Sequence, residues 1–260
     1  MLELYHANHS TCSQKVRLCL AEKGLDFKQH LIDLAKKEQL APDYLKLNPN
    51  GVVPTLVHDS LVVHDSSVIC EYLDETFHET PLIPGNAGAR AVMRQWMRYF
   101  EEVPTAAVRY SSFNMAFLPR FDGLDEEGFL EQEANVRPLR REFFRRMGPQ
   151  GFSNKDVEES LDQISQTVSR MDRALENGPW LVGETYTLAD IIVAPLIDRM
   201  SDLGFSALWK TSHPRVTDWY DRIQSRPAYA TTFYPGSRLT EFLEIRSLSG
   251  DSNNKPSENM

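Results

Sequence analysis

The sequence predicts an α/β domain followed by an all-α domain. In the first 79 residues, short apolar runs alternate with helical spacing in the order strand, helix, strand, strand, strand, helix. From residue 86 onward only helical spacing recurs, most clearly from Val157 to Leu175, where apolar residues repeat three and four positions apart. The chain has 260 residues, 41% hydrophobic and 25% charged, which is typical of a globular protein with a normal core.

The composition also excludes several classes of partner. The net charge of −9 repels phosphate backbones, so we expect no nucleic acid partner. No apolar run approaches the ~20 residues that a membrane span needs. The first residues, MLELY, lack the basic start and apolar stretch of an export signal. We therefore expect a cytoplasmic protein without a membrane partner.

The three cysteines are Cys12, Cys19 and Cys70, an odd and small number that does not suit a disulfide framework. This count favours a reducing compartment. Cys19 and Cys70 lie on apolar helical faces, and we predict that they are core residues. No Cys/His cluster has zinc-ligand spacing, so we expect no metal site.

The first half of the N-terminal domain predicts a strand, a helix and a strand. Residues 2–5 alternate in character, as on a short strand. Thr11 opens the helix with Gln14 three residues later, as in a capping box, and Gly24 suits the position after its last turn. Residues 27–34 predict the second strand.

The second half predicts a hairpin and a helix. The run NPNG at 48–51 is a strong turn signal, and Pro54, which cannot donate a ladder bond, belongs at a strand start or edge. Residues 55–57 and 61–63 form a predicted hairpin, and Asp65 begins the next helix. This order of elements, with a proline before the third strand, is the thioredoxin arrangement.

Composition shifts between the two halves of the chain give the domain boundary. We predict a thioredoxin-like domain at residues 1–79 and a helical domain at 86–246. The segment 247–260 is polar with almost no apolar residues, so we expect a disordered tail.

One helix of the C-terminal domain has a clear start signal. Thr187 and Asp190 are spaced as in a capping box, in which each side chain accepts from the other residue's backbone N–H. Pro195 follows within the same apolar run, and we expect it to bend or interrupt that helix.

The loop at residues 10–13, STCS, is a candidate site for a thiol. The first backbone amides of a helix lack partners and the helix dipole adds positive charge, so a thiolate placed there is stabilised. A hydroxyl that donates to the sulfur stabilises it further. Lys15 occupies the fourth position of a CxxC motif, which excludes a dithiol redox site. Ser and Thr are also ordinary N-cap residues, and that interpretation stays open.

Two further features are candidates for ligand binding. Asp65 and Ser66 begin a helix whose free amides can bind a carboxylate, while Asp65 can accept from an ammonium group. Together they match the free amino-acid end of a γ-glutamyl group. If the bond between Val53 and Pro54 is cis, the peptide of Val53 turns outward toward an extended ligand. The alternatives are an ordinary N-cap and a trans bond, since cis is the minority state.

These features occur together and in order, and on them the sequence resembles the glutathione transferase superfamily of the serine/cysteine type. Four segments carry the resemblance. YHANHSTCSQKVRL at 5–18 resembles the catalytic loop and first helix, and NPNGVVPTL at 48–56 resembles the cis-proline segment. DSSVICEYL at 65–73 resembles the γ-glutamyl site, and TLAD at 187–190 resembles the helix cap. Asp65 stands where Glu or Gln is commoner. The DSSVICEYL run and a long insertion at about 104–151 resemble the bacterial beta-etherase-like transferases in particular.

The resemblance implies catalytic roles for residues of the first loop. Ser10 matches an activating hydroxyl, and Cys12 matches a reactive cysteine of some reductive dehalogenases. Ser13 matches a serine that faces the thiol in beta-etherases. Thr11, in the same loop, is implied as a glutathione contact.

The resemblance also implies how glutathione is held. Val53, presented by Pro54, would pair with the cysteinyl backbone. Asp65 and Ser66 would hold the γ-glutamyl end. Gln39 would approach the glycyl carboxylate.

The implied activity is that of a glutathione transferase. Such an enzyme ionises the thiol for attack on a small, hydrophobic, aromatic electrophile, by conjugation, beta-aryl ether cleavage or dehalogenation. Two alternatives stay open: a glutathione-binding or dimerising protein without turnover, and a thiol transferase that depends on Cys12. The resemblance also implies a homodimer.

The insertion carries an apolar group and a basic face. The apolar residues could line an acceptor pocket or pack under a long loop: Tyr110, Phe113, Met115 and Phe117. Arg137, Arg141 and Arg145 recur four positions apart. They could steer anionic ligands, but we favour a solvated surface paired with nearby acidic residues.

Overall fold

A computed structural model describes residues 1–241 of the chain. These residues contain one four-stranded sheet. The strands are β1 (Leu2–His6), β2 (Lys28–Leu31), β3 (Thr55–His58) and β4 (Leu61–His64). Their order is β2-β1-β3-β4, with β2 parallel to β1 and the other neighbours antiparallel. The predicted tail at 247–260 and the last residues of the predicted helical domain lie outside the described residues.

The helices follow in two groups. Those that alternate with the strands are α1 (Thr11–Glu22), α2 (Pro42–Leu47) and α3 (Ser66–Thr76). The later helices are α4 (Ala87–Glu102), α5 (Pro104–Ser112), α6 (Glu126–Phe129), α7 (Arg141–Met147), α8 (Asn154–Ala174), α9 (Leu188–Asp202), α10 (Ala207–Lys210), α11 (Pro214–Ser225) and α12 (Pro227–Thr232). The prediction of a thioredoxin-like domain followed by an all-helical domain is confirmed.

The strand register brings the three candidate motifs to one end of the sheet. Tyr5 lies opposite Thr55 in the antiparallel pair β1–β3, so the loop after β1 meets the segment before β3. Thr55 also lies opposite His64 in the pair β3–β4, so the chain at Pro54 runs beside Asp65. The first turn of α1, the segment before β3 and the start of α3 therefore converge.

The start of α1 differs from the prediction. Its N-cap is Ser10 rather than Thr11, and the Ser10 side chain accepts from the backbone N–H of Ser13 at 3.3 Å. Gln14 does not complete a capping box, because its buried side chain donates to the carbonyl of Ser237 at 3.1 Å. The Gln14 side-chain amide is therefore used in a tertiary contact, which the local sequence spacing cannot predict.

The start of α9 agrees with the prediction, and its middle differs. Thr187 and Asp190 form the predicted capping box. The helix runs through Pro195 without interruption. Pro195 has no backbone N–H and cannot make the helical hydrogen bond of its turn. Residues 188–200 are buried throughout, so packing on all sides of the helix stabilises this turn.

Four hydrophobic clusters stabilise the described residues, and the two largest of them lie in and between the two domains. The larger one joins the domains, since Leu18 of α1 and Leu73 of α3 belong to the same cluster as Ile192 of α9. Cys19 and Cys70 are fully buried within it, as predicted. A smaller cluster is built within and beside the insertion, from Phe121, Phe129, Ala134, Phe144, Met147, Phe152 and Val157. The insertion is therefore folded around its own core.

Within residues 1–241, every helix is too short or too polar to cross a bilayer.

Candidate functional site

A cavity of about 230 Å³ lies between the two domains, at the end of the sheet where the motifs converge. The N-terminal domain lines it with residues 9–12, with the loop after β2 and with residues 51–53. The C-terminal domain contributes α5, the insertion, α7 and Arg199 of α9. One wall is thus rich in backbone groups and the other in aromatic and arginine side chains.

The first turn of α1 presents donors to this cavity. Ser10, Thr11 and Cys12 line it and are partly exposed. Among residues 1–241, no hydrogen bond uses the backbone N–H of Thr11 or Cys12. The Ser10 oxygen accepts a hydrogen bond from a backbone amide, so its own O–H proton remains available to a ligand. Two amides, a hydroxyl and the helix dipole together favour an anion there.

Ser13 is placed differently from the rest of its loop. Its side chain is fully buried, and its hydroxyl oxygen accepts from the backbone N–H of Ala7 at 3.3 Å. Because Ser13 lies on the inner face of α1, it cannot reach a ligand in the cavity unless the helix moves. The structure therefore gives it a role in shaping the loop, and the predicted thiol-facing position is not observed.

The peptide before Pro54 is arranged to receive an extended ligand. The bond between Val53 and Pro54 is cis, and Val53 lines the cavity. Within residues 1–241, no hydrogen bond reaches the backbone N–H or C=O of Val53. The preceding carbonyl, of Val52, accepts from the Tyr44 hydroxyl at 2.7 Å and from the Asn48 amide at 3.0 Å. These bonds fix the segment and leave the peptide groups of Val53 free.

Gln39 supplies a polar side chain at the same wall. It lines the cavity and is only 7% exposed. Its side-chain oxygen has no hydrogen-bond partner in the described part of the chain. A buried polar atom without a partner costs free energy unless a ligand satisfies it. The site therefore fits a ligand that carries polar groups along its length, as a peptide such as glutathione does.

Asp65 and Ser66 lie beside the cavity and do not line it. Asp65 is the N-cap of α3 with φ of +70°, and one carboxylate oxygen accepts from the backbone N–H groups of Ser67 at 3.0 Å and Val68 at 3.2 Å. Its second oxygen makes no hydrogen bond within residues 1–241. That oxygen can accept from an ammonium group of a ligand extended from Val53.

Two of the four predicted aromatic and apolar residues line the cavity. Phe113 and Phe117 do so. Tyr110 packs instead against Phe152, which follows the insertion, with ring centroids 4.3 Å apart. Met115 is buried in a separate small cluster. The wall formed by the C-terminal domain is more aromatic than predicted, because residues 121, 143 and 144 add three further phenylalanines.

Several lining residues were not predicted from the sequence. His9 is kept neutral, since burial, together with the charges of Arg199 and Arg120, lowers its pKa to about 3. Arg199 of α9 donates to the backbone carbonyl of His9 and lies 3.5 Å from the Ser112 hydroxyl. It thereby ties the first loop to the C-terminal domain. No local pattern marks these residues, because they are brought together from distant parts of the chain.

The basic face on the insertion divides into buried and solvated members. Arg137 is only 8% exposed, forms an ion pair with Glu133 at 2.8 Å and stacks over Phe144. Arg141 and Arg145 are exposed. The prediction of a solvated surface is thus correct for Arg141 and Arg145 and wrong for Arg137, whose aliphatic stem and planar head pack against the aromatic core.

Comparison with known proteins agrees with this arrangement. The family model for the glutathione S-transferase N-terminal domain matches residues 9–76, and that for the C-terminal domain matches residues 137–227. Protein LigF of Sphingobium sp. (strain NBRC 103272 / SYK-6) is 31% identical, over 91% of this chain and 95% of LigF. Glutathione S-transferase Z1 of Arabidopsis thaliana is 44% identical, over 88% of this chain and 89% of that protein.

A solved structure is similar over nearly the whole chain. The crystal structure of beta-etherase LigF from Sphingobium sp. strain SYK-6 superposes with a TM-score of 0.81, covering 89% of this chain and 98% of that one, at 31% identity. Fold, sequence and the cavity between the domains agree. The chain therefore belongs to the glutathione transferase family, whose members are enzymes that use glutathione as a cosubstrate.

Proposed function

We propose that this transferase holds glutathione as a thiolate at the first turn of α1 and directs it at a small aromatic electrophile in the cavity. One observation carries the proposal: two unpaired amides and the Ser10 hydroxyl face the same cavity as a wall of phenylalanines. The supported reactions are conjugation, beta-aryl ether cleavage and dehalogenation. The similarity to a beta-etherase favours ether cleavage among them.

The residues of the first loop would supply the activation. The Ser10 O–H donates to the sulfur, and the amides of Thr11 and Cys12 add partial positive charge. Both effects favour the ionised form and lower the pKa of the bound thiol toward neutrality. The thiol proton passes to solvent. Sulfur then forms a bond to carbon, and an aryloxide or halide departs with the bonding electron pair.

Other residues would hold the two substrates in place. Val53 offers N–H and C=O to the cysteinyl backbone, and Gln39 offers its amide near the glycyl end. Asp65 and Ser66 would take the γ-glutamyl end. Phe113 and Phe117 provide apolar surface for an aromatic acceptor. Positioning of both reactants contributes to the rate together with thiolate stabilisation.

Replacing Ser10 by alanine tests the proposed activation. Ser10→Ala should lower kcat/KM with chlorodinitrobenzene by about 10- to 100-fold, because one hydrogen bond to a charged atom is lost. The pH at which the rate increases should also be higher in the variant than in the wild type, because the pKa of the bound thiol is higher. Steady-state kinetics and the ultraviolet thiolate absorbance of bound glutathione are the measurements. Ser153→Ala is a matched control, since Ser153 is also an N-cap serine but is exposed, at the start of α8.

Cys12 carries the second candidate function, because its side chain also lines the cavity. A thiol transferase that depends on Cys12 predicts that Cys12→Ala abolishes activity while Ser10→Ala does not. A glutathione-binding protein without turnover predicts bound glutathione whose thiol stays protonated. Either result would contradict the proposed activation by Ser10.

We also propose a cytoplasmic homodimer. The cytoplasmic location is supported by the three free cysteines, which suit a reducing compartment. Exposed apolar Val68 on α3 and Val92 on α4, which are 45% and 41% exposed, support a dimer through these helices. Light scattering of the purified protein measures the oligomeric state, and a monomer would contradict this part of the proposal.

A further inference from the structure

Two half-buried arginines of the cavity have neither an acidic partner nor a side-chain hydrogen bond. Arg109 on α5 and Arg140, just before α7, both line the cavity and are half-buried. In the part of the chain that the structure describes, neither guanidinium group forms an ion pair or a hydrogen bond, and only the backbone carbonyls of the two residues accept one. The carboxylate whose charge acts on both is that of Glu101. Glu101 is already bound by Lys15 at 2.6 Å and by the Ser67 hydroxyl at 2.6 Å.

The other basic residues of the cavity are differently placed. Lys37 and Arg137 both form ion pairs with Glu133, at 2.6 and 2.8 Å. Arg199 donates to a backbone carbonyl, and Arg120 is exposed and lies over an aromatic ring. Among the described half-buried basic residues of the cavity, the cations without an ion pair or a hydrogen bond are therefore Arg109 and Arg140, on the acceptor side.

The two guanidinium groups also act on each other. Burial, and then the like charge of Arg109, lower the pKa of Arg140 to about 10, so Arg140 stays protonated at neutral pH. Two neighbouring cations in a partly buried cavity repel each other, and an anion between them would relieve that repulsion. Planar guanidinium groups match the geometry of a carboxylate. Cys12 lines the same cavity and is one of the groups whose charge acts on Arg140, so Arg140 lies on the side toward the first turn of α1.

We propose that Arg109 and Arg140 bind an anionic oxygen group, a carboxylate or phenolate, on the aromatic acceptor substrate. This inference rests on the proposed function, because it assumes that the acceptor occupies the cavity. Glutathione's own carboxylates are assigned to other positions, at the start of α3 and near Gln39. The phenylalanine wall then holds the ring while the arginine pair holds its charged substituent.

Binding without turnover tests the inference directly. The probes are dinitrobenzoate and the neutral dinitrobenzamide, titrated by calorimetry into protein saturated with S-methylglutathione. The wild type should prefer the carboxylate by about 10- to 100-fold, as expected for charge-assisted hydrogen bonds. Arg109→Gln and Arg140→Gln should each reduce this preference, and Arg140→Lys should keep part of it. Arg145→Gln is the matched control, because exposed Arg145 pairs with Glu142 on the outer face of α7.

Turnover of a matched pair of electrophiles separates this inference from the proposed function. The pair is para-chloro-dinitrobenzoate and its amide, each with glutathione. If neither is turned over but dinitrobenzoate still binds with the expected preference, the proposed function fails and the arginine site stands. Equal binding of acid and amide would overturn the arginine site. An equal loss of rate with both electrophiles in Arg140→Gln would also overturn it, because Arg140 would then act on the thiolate.

Discussion

Replacing Asp190 by alanine is expected to lower the free energy of unfolding by about 3–5 kcal/mol. Asp190 is fully buried. Its carboxylate accepts from the backbone N–H of Leu181 at 3.1 Å, from that of Thr187 at 3.0 Å and from the Trp219 indole at 2.9 Å. Alanine would leave three buried donors without partners, and each such donor costs about 1–3 kcal/mol.

Chemical denaturation measures this effect, and another capping aspartate provides the control. Asp125 caps α6 by accepting from the backbone N–H of Gly128 at 2.8 Å, but it is exposed. Asp125→Ala should therefore cost only about 1 kcal/mol, as at other N-caps. If Asp190→Ala costs no more than Asp125→Ala, burial is not what makes the Asp190 cap strong.

The same cap connects the helical domain to the loop before α1. Asp190 fixes the start of α9, and three turns later Arg199 of that helix donates to the backbone carbonyl of His9. The position of the loop that begins α1 is thus set partly by the other domain. The thioredoxin-like domain therefore provides one wall of the cavity and depends on the helical domain for the position of its loop.

The parts of the fold predicted from sequence are those that depend on nearby residues. The Thr187 and Asp190 cap, the hairpin after Pro54 and the helix after Asp65 each need only a few neighbouring positions. Gly24 likewise follows α1 with φ of +63°, as its predicted position after the last turn requires. In each case the local signal and the tertiary packing agree.

Where prediction failed, a contact distant in sequence had the larger effect. Gln14 is spaced for a capping box, but it bonds to Ser237 instead. Ser13 belongs to the motif of the first loop, yet the packing of α1 turns it away from the cavity. Arg109 and Arg140 carry no motif at all, and only the folding of the insertion brings them together. The sequence analysis named several residues on the wall from the N-terminal domain, and Phe113 and Phe117 on the opposite wall, while the other aromatic and arginine residues of that wall required the structure.

Lowering the pH from 7 to 4 is expected to destabilise the fold by about 3 kcal/mol through His6 alone. His6 is fully buried, and Arg17 lies 3.2 Å from its Nδ1. Because a guanidinium can only donate, Nδ1 must accept and the ring is neutral. Burial, and then the charge of Arg17, lower the pKa of His6 from 6.5 to about 4. Between these values the unfolded chain binds a proton that the folded protein does not, so stability falls as the pH falls.

Comparison with His6→Asn isolates this contribution from other titrating groups. His9 acts in the same direction, because its pKa is also lowered. Asp190 acts in the opposite direction, since burial raises its pKa to about 6 and stability then falls as the pH rises toward that value. Asparagine keeps an acceptor for Arg17 but binds no proton, so its unfolding free energy should vary by about 3 kcal/mol less over this range. Exposed His78→Asn should leave the pH dependence unchanged. If both variants retain the wild-type dependence, His6 is already protonated in the folded protein and its contact with Arg17 has been misassigned.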